Sequence, residues 1–571
     1  MRYDYMQYIV GENRWQMVLF PEKLDDLVSE DNPVRVIDEF VNQLDLMALG
    51  FGSAVLVKSA AGRPSYSPEC LLKLYIFGCF KKVRSSRKLM EMCRTNIEMM
   101  WLLGRLMPDF RTISEFRKDN KSAIKKVFKA FVKMCVELGL YNTDVGVQDG
   151  SKFSAMNSKD NNETVTKLEK KLDIAEKEIA KYLEELDKND KDESDAQGYT
   201  KEEIEKIIEK LRARKDKYNG CLDEMKEAGA TQISFTDPDS RLMKTADGGF
   251  DVSYNVQIVV DPESHMIGAF EVTNQCNDMG QLSPVTEGFK EDLGIEVMDA
   301  VADKGYLDKA DMLECLMNGT VPHVPSKSGE ESYEFEVDHK EAEITEELLS
   351  STKPEDIRTC LEAGALPDAY KDKGIEVSVH EVEQVISDEE YPKESFTLNE
   401  EGTAVVCPNG SELGKVARLH NKGKARFTSR SACKKCEDKC TASAFKQVDL
   451  KDGQTVLIIK KTRTAKKVKI KLTPDKKKIR IRKCVVEHPF GTTKQWCDGR
   501  YTLLTGKEKV TADMALLFLQ YNIKRAINMV GTQELIKKMR GLAGDLMCFF
   551  SRIFQNLKKT FAISIYSSAC S

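Results

Sequence analysis

Two short β-forming runs that each end in an aspartate, followed much later by an acid that opens a helix, constrain this 571-residue chain more than any compositional feature. The first run is Val145-Gly-Val-Gln-Asp-Gly-Ser-Lys152, in which Val145 and Val147 alternate as in a central strand and Asp149 is followed at once by a glycine turn. The second is Val297-Met-Asp-Ala-Val-Ala-Asp303-Lys-Gly-Tyr306. The third acid, Glu487, sits in Arg480-Ile-Arg-Lys-Cys-Val-Val-Glu-His-Pro-Phe-Gly-Thr-Thr-Lys494. A carboxylate at the carboxyl end of a strand faces the crevice where open α/β sheets bind ligands. Three such carboxylates, two on strands and one opening a helix, can hold a pair of divalent metals about 4 Å apart for in-line phosphoryl transfer.

Five blocks, in order, extend the pattern: Gln148-Asp-Gly-Ser-Lys-Phe, Thr236-Asp-Pro-Asp-Ser-Arg, Tyr254-Asn-Val-Gln, Ala302-Asp-Lys-Gly-Tyr and Val486-Glu-His-Pro-Phe-Gly-Thr-Thr-Lys. Through these blocks the chain resembles the bacterial insertion-sequence DDE transposases with an RNase H-like catalytic core, from about Gly62 to Asn522. Many relatives carry Tyr, Arg, Glu and Lys at fixed offsets around the glutamate; here Lys494 matches, and Arg480 and Lys483 stand at the Tyr and Arg positions. The resemblance implies Asp149, Asp303 and Glu487 as catalytic ligands of two magnesium or manganese ions. It also implies DNA partners, namely the element's terminal inverted repeats and a target duplex, with a homodimer holding two ends together.

A formal net charge of -5 hides a strong segregation. Gly414 to Cys484 carries 24 Lys and Arg against 5 Asp and Glu, a net of +19, whereas Gly329 to Glu401 carries 23 acids against 6 bases, a net of -17. The acidic run is either a solvated face or a shield that keeps the basic run from nonspecific DNA. The 16 cysteines lie mostly singly in apolar contexts (Cys70, Cys79, Cys93, Cys135) and no signal peptide opens the chain, so a reducing bacterial cytoplasm is expected. The most apolar stretch, Leu546 to Ile565, is interrupted by Arg552, Lys558 and Lys559 and reads as a packing helix; no membrane partner is expected.

Residues 1–140 read as a helical domain that binds DNA ends. Apolar residues fall at helical spacing in Pro33 to Leu49, Glu69 to Phe80, Ser86 to Leu103 and Thr112 to Leu138. Ser67-Pro68 supplies a cap and first-turn proline, and Thr112 with Glu115 fits a capping box. The cluster Lys81, Lys82, Arg84, Arg87, Lys88 joins two helices and suits phosphate contact, a solvated turn being the alternative. Residues 141–162 and 229–325 form the first part of the core, interrupted at 163–228 by apolar heptads (Leu168, Leu172, Ala175, Ile179, Tyr182, Leu186, then Ile204, Ile208, Leu211, Tyr218, Leu222, Met225) that predict an antiparallel coiled-coil hairpin. Asp237 and Asp261 read as turn starters before proline, and Asp278 with Gln281 as a helix cap.

From Asp303 to Glu487 is 184 positions, too long for a loop, so an inserted domain at 326–454 is expected. Within it Cys407, Cys433, Cys436 and Cys440 fit a tetrahedral structural zinc, with His420 as a spare ligand; four reduced thiols are the alternative. Residues 455–530 complete the core and 531–571 form a helical end. Alternation in Val468 to Leu472 and Ile479 to Arg482 predicts strands with one basic face, a ribbon able to track phosphates. Glu487 and Lys494, seven apart, fall on one helical face. The expected DNA contacts beside the acids are Lys152, Arg480, Arg482, Lys483 and Lys494.

The fold class is therefore α/β, multidomain: a helical start, an RNase H-like mixed-sheet core carrying a coiled-coil and a second long insertion, and a helical end. The leading function is a transposase; a nuclease or resolvase that only hydrolyses, and a DNA-binding scaffold derived from a transposase, are the alternatives.

Overall fold

The computed structural model describes residues 23–51, 65–158, 161–189, 201–227, 229, 231–245, 248–326, 329–386, 396–416, 424–436, 445–451 and 454–542. They form two compact units, 1–306 with 477–571 and 307–476.

The first unit is built on a sheet whose middle strand is β1 (Val145–Ser154). It pairs antiparallel with β2 (Phe250–Val260), which pairs antiparallel with β3 (Ile267–Thr273), and on its other side it pairs parallel with β4 (Met298–Val301). The β3-β2-β1-β4 order, a meander followed by a parallel strand reached through the helix Leu282–Leu293, is that of an RNase H-like core. The buried faces explain the near-continuous apolar runs: Val252, Tyr254, Val256, Ile258, Val259 and Val260 of β2 are all inaccessible.

Helices cover the sheet. The helix Pro68–Phe80 starts where Ser67 accepts a bond from the Cys70 amide, as expected, and is buried nearly all round. The expected capping box at Thr112 is not formed: the helix begins earlier, at Phe110, because Asp109 caps it and also accepts from the Thr112 hydroxyl. A long helix, Lys507–Val530, packs on Lys121–Glu137, on Pro68–Phe80 and on β3. Its Asn522 side chain accepts from the Ile267 amide at 2.9 Å and donates to the Ile267 carbonyl at 2.7 Å, standing in for a strand partner at the sheet edge. One hydrophobic core therefore runs from Val34 through β1–β4 to Met539. Helical structure continues over 532–542. Most of the expected helix Gln533 to Phe561, with Leu546 to Ile565, lies outside the described residues, and no described helix is long and apolar enough to cross a membrane.

Between β1 and β2 the chain makes a hairpin of the helices Val165–Asn189 and Lys201–Glu227. Leu168 packs with Leu222 and Met225, and Lys215 reaches Glu176 at 2.7 Å, so the helices run antiparallel. The heptad pattern therefore led to the right pairing.

The second unit carries an eight-stranded sheet around the strand Gln454–Leu472, so the expected resumption of the core at residue 455 falls inside this sheet, and the chain re-enters the first unit at Lys477. Strands Tyr333–Asp338 and Ile375–Ile386 flank its second half. Val468, Ile470 and Leu472 are buried, while Lys469 pairs with Glu334 at 2.8 Å and Lys471 with Glu376 at 3.1 Å. The alternation was read correctly, but this stretch is a lattice of cross-strand ion pairs with the acidic segment, not a bare ribbon of positive charge. Ile479 to Arg482 is helical instead of extended, because Thr473-Pro474-Asp475 ends the strand and starts the helix Lys476–Val485.

Arg84 tests how the helical start is tied down. It is buried and ion-paired to buried Asp513, and it donates to the Asp498 and Tyr501 carbonyls at 2.8 and 3.1 Å. This corrects its expected role as a DNA contact. Replacing Arg84 with Ala leaves a buried carboxylate short of its partner and should lower unfolding free energy by about 3 kcal/mol, read by urea denaturation. An unchanged midpoint would contradict the assignment.

Candidate active site

Asp149 projects from β1 just beyond the point where β1 and β4 pair, whose last partners are Val147 and Val301. Asp303 follows the end of β4 by two residues, in the turn that leads to Lys304–Tyr306. Asp303 thus sits just past the carboxyl end of β4, as anticipated, whereas Asp149 lies inside β1, which runs on for five more residues to Ser154 instead of turning at Gly150. The Asp303 turn is closed by its own carboxylate, whose Oδ1 accepts from the Gly305 amide at 2.6 Å. A Cβ at Gly305 would stand 2.7 Å from that same oxygen, so any larger residue there would make the Asp303 carboxylate shift.

The two acids meet on one cation. Arg482, from the helix Lys476–Val485, places Nη2 3.2 Å from Asp149 Oδ1 and 3.5 Å from Asp303 Oδ2. The helix is pinned to β4 by Lys478, which reaches Asp299 at 2.5 Å. Burial pushes the Asp149 carboxyl above its ordinary range, and the Arg482 guanidinium only partly offsets this. Arg482 Nε is itself buried without a hydrogen-bond partner among the described residues.

Glu487 opens the helix Glu487–Gly491, but its side chain is exposed and no described residue bonds it. Among the described residues no group of three or more His, Cys, Asp or Glu side chains is placed to hold a metal. Lys494 follows in the π-helical turn Thr492–Trp496, so its seven positions from Glu487 are not two regular α-helical turns. It reaches back to β1, donating to Ser151 Oγ at 2.7 Å and to the Lys152 carbonyl at 2.6 Å.

Lys152 is drawn to Asp278 at 3.3 Å, on the other face of β1. Asp278 also accepts from Asn255 and Gln257 at 2.8 Å each, so it does not cap a helix as expected; the helix starts at Leu282 without a side-chain cap. Gln257 in turn accepts from the Tyr306 hydroxyl. Sequence reasoning had Asn255, Gln257 and Tyr306 inside its motif blocks without giving them a role, and read Lys152 as a DNA contact.

Of the rival acids, Asp261 caps its turn by accepting from the Ser264 amide at 2.9 Å, as expected. Asp237 does more than start a turn: it is buried, which raises its pKa, and it accepts from the Tyr254 hydroxyl at 2.8 Å and from the Gly506 amide at 3.0 Å. With Asp239, which accepts from the Lys507 amide at 2.8 Å, it caps the helix Lys507–Val530 from a distant part of the chain.

The other expected DNA contacts divide. Lys81 pairs with Glu98, Lys82 lies 5.5 Å from the Trp496 ring centroid, Arg87 stacks over Phe110 at 5.3 Å, and Lys88 and Arg480 are exposed. The Lys483 side chain lies outside the described residues. Cys407 and Cys433 pack against the small core of Phe396, Val405, Leu413, Phe427 and Val448, and Cys436 receives the Asn409 amide at 3.2 Å. Cys440 and His420 lie outside the described residues, and nothing in the described set supports zinc.

Two families match the chain: Transposase domain (DUF772) over residues 22–119 and Transposase DDE domain over residues 406–527. The two matches define a DNA transposase. Its domains are those of an insertion-sequence DDE transposase, an enzyme that cleaves DNA and transfers strands with a divalent metal. Among solved structures, a piggyBac transposase synaptic complex with hairpin DNA is similar at 8% identity over 92% of this chain and 82% of that one, with a TM-score of 0.26, a likeness too weak to define the fold. No curated protein matches.

A raised pKa at Asp149 has a stability consequence. The folded chain binds a proton there more readily than the unfolded chain, so this group's contribution to stability falls as pH rises above about 3.8 and is a fixed penalty at neutral pH. Asp149→Asn should therefore melt at or slightly above the parent temperature at neutral pH, with the gain shrinking in acid. Calorimetry at both pH values reads this, and a lower melting temperature at neutral pH would contradict it.

Proposed function

We propose that Asp149, Asp303 and Glu487 hold two magnesium or manganese ions and that the chain cuts DNA at the ends of a mobile element, then joins the freed 3' ends to target DNA. The observation that carries this reading is the convergence of Asp149 and Asp303 on a single cationic nitrogen. Two hard oxygen donors that already share a cation are suited to a divalent metal, which when bound would stabilise charge on the attacking and leaving oxygens of phosphoryl transfer.

The chain's own residues supply position. Asp149 is fixed by its pairing with Ile258 of β2, and Asp303 by the Gly305 turn. Arg482 carries a planar guanidinium that fits phosphate as well as carboxylate, so it is placed to hold the backbone at the scissile bond. Lys494 braces the helix after Glu487 against β1. Residues 1–140, with Lys81, Lys82, Arg87 and Lys88, bind the terminal inverted repeats, and Arg480 and Lys483 add phosphate contacts near the acids. Two copies pair the two ends as a homodimer, acting at the bacterial nucleoid.

The test uses amides, which keep size and remove charge. Asp149→Asn, Asp303→Asn and Glu487→Gln should each lower cleavage and strand transfer in magnesium or manganese by about a thousandfold or more, while leaving binding to end DNA intact. Asp251→Asn and Asp261→Asn should retain most of the rate. Active Asp303→Asn, or a control as inactive as the triad variants, would overturn the ligand assignment, and cleavage without a joined product would mark a nuclease.

A further inference from the structure

Trp496 is the most exposed large apolar side chain among the described residues, at 68%. Tyr501, on the same loop, is 44% exposed. Neither belongs to the catalytic carboxylates or their braces, yet both are held with care. The loop that carries them is clamped by Arg84, whose guanidinium donates to the Asp498 and Tyr501 carbonyls and stacks 5.9 Å from the Tyr501 ring, while its other end is neutralised by buried Asp513. Lys82, two residues before Arg84, sets its ammonium 5.5 Å from the Trp496 ring centroid.

Both loops hold a non-glycine residue in the left-handed region, Lys82 at φ 62° and Asp498 at φ 56°. Such conformations cost free energy and persist only where the surroundings impose them. Trp496 also closes the π-turn that follows the Glu487 helix, and π-turns concentrate at functional sites. The loop then joins the catalytic strand directly: the Ser154 amide donates to the Arg500 carbonyl at 3.2 Å and the Thr502 amide to the Ser154 carbonyl at 2.8 Å.

We propose that Trp496, with Tyr501 and Lys82, is a stacking platform for an unpaired nucleobase of the DNA strand that enters the site. The inference rests on the DNA-cleaving reading above and extends it to single-stranded character near the cut. An indole face beside an ammonium attracts a base whatever its sequence, through stacking and charge on the neighbouring phosphate. The spacing suits a base close to the scissile bond. The nine positions from Glu487 to Trp496, part α-helical and part π-helical, rise at most about 14 Å, or about four nucleotides at 3.4 Å each along one strand. A paired base has its faces covered by its neighbours in the stack, so only an unpaired or displaced one can cover the indole.

The full-length chain is tested with a single-stranded oligothymidylate and with a blunt duplex of matched length, in magnesium-free buffer. Oligothymidylate should quench tryptophan emission of the parent. Trp496→Ala should lose about tenfold in affinity for the single strand with little change for the duplex, and Trp496→Phe, which keeps a stacking face, should recover most of the loss. Melting temperatures should match the parent, because the indole contributes little to the core. If the parent binds both DNAs and Trp496→Ala binds the single strand equally well, the platform is wrong and the transposase reading stands. If the parent binds neither, the DNA reading fails and takes the platform with it.

Discussion

The ladder between β1 and β2, eight consecutive pairs from Val147–Val260 to Ser154–Ser253, is the constraint on which the rest of the first unit depends. Each pair fixes one residue of β1 to one face or the other, so the register decides at once that Asp149 and Ser151 share a face while Gly150 and Lys152 look the opposite way. A slip of one residue would turn Asp149 away from Arg482 and bring Gly150 into its place. The same ladder sets the Asp278 network, because Asn255 and Gln257 stand opposite Lys152 and Gly150. A Cβ at Gly150 would lie 2.3 Å from Gln257 and 2.6 Å from Asp278, so a side chain there would displace the ends of that network.

Charge in this chain is arranged by pairing at several depths. At the surface of the second unit, lysines of one strand alternate with glutamates of its neighbours, and such exposed pairs contribute little each. Inside the first unit, Arg84 with Asp513 is removed from water, so its geometry must be satisfied closely. Between these extremes lie Asp149 and Asp303, half-covered and sharing one guanidinium. That intermediate setting leaves both carboxylates reachable, while burial raises the Asp149 carboxyl and the shared guanidinium partly offsets it.

Much of this organisation was legible in the residues because it is local. Ser67-Pro68 caps a helix through atoms three positions apart, and the heptads from Leu168 to Met225 encode their own partner. β4 was legible for a different reason: an apolar run ending in Asp-Lys-Gly states both the strand and the turn, whereas Asp149-Gly150 reads as a turn and is a paired stretch of β1. What could not be read depends on distant partners. The +19 segment looked free because its acids lie far off in the chain, Glu334 and Glu376 among them. Ile479 and Ile481 alternate over too few residues to decide between strand and helix, and the helix leaves Ile481 47% exposed. The Thr236-Asp-Pro-Asp block was legible as a turn, but its second duty, capping a helix that begins some 270 residues later, exists only in the folded chain. Arg482 was seen as a phosphate ligand because nothing local tells an arginine which acids it will meet.

The capping of Lys507–Val530 by Asp237 and Asp239 also bears on how the molecule is made. The helix that closes the core is made after the second unit, while the surfaces it covers, on β3 and on Pro68–Phe80, are complete hundreds of residues earlier. During synthesis those apolar surfaces wait uncovered through the whole translation of the second unit, and long-range closure of this kind is slow. A chain without the helix Lys507–Val530 therefore presents a bare hydrophobic face and leaves buried Asp237 without the Gly506 amide it accepts from.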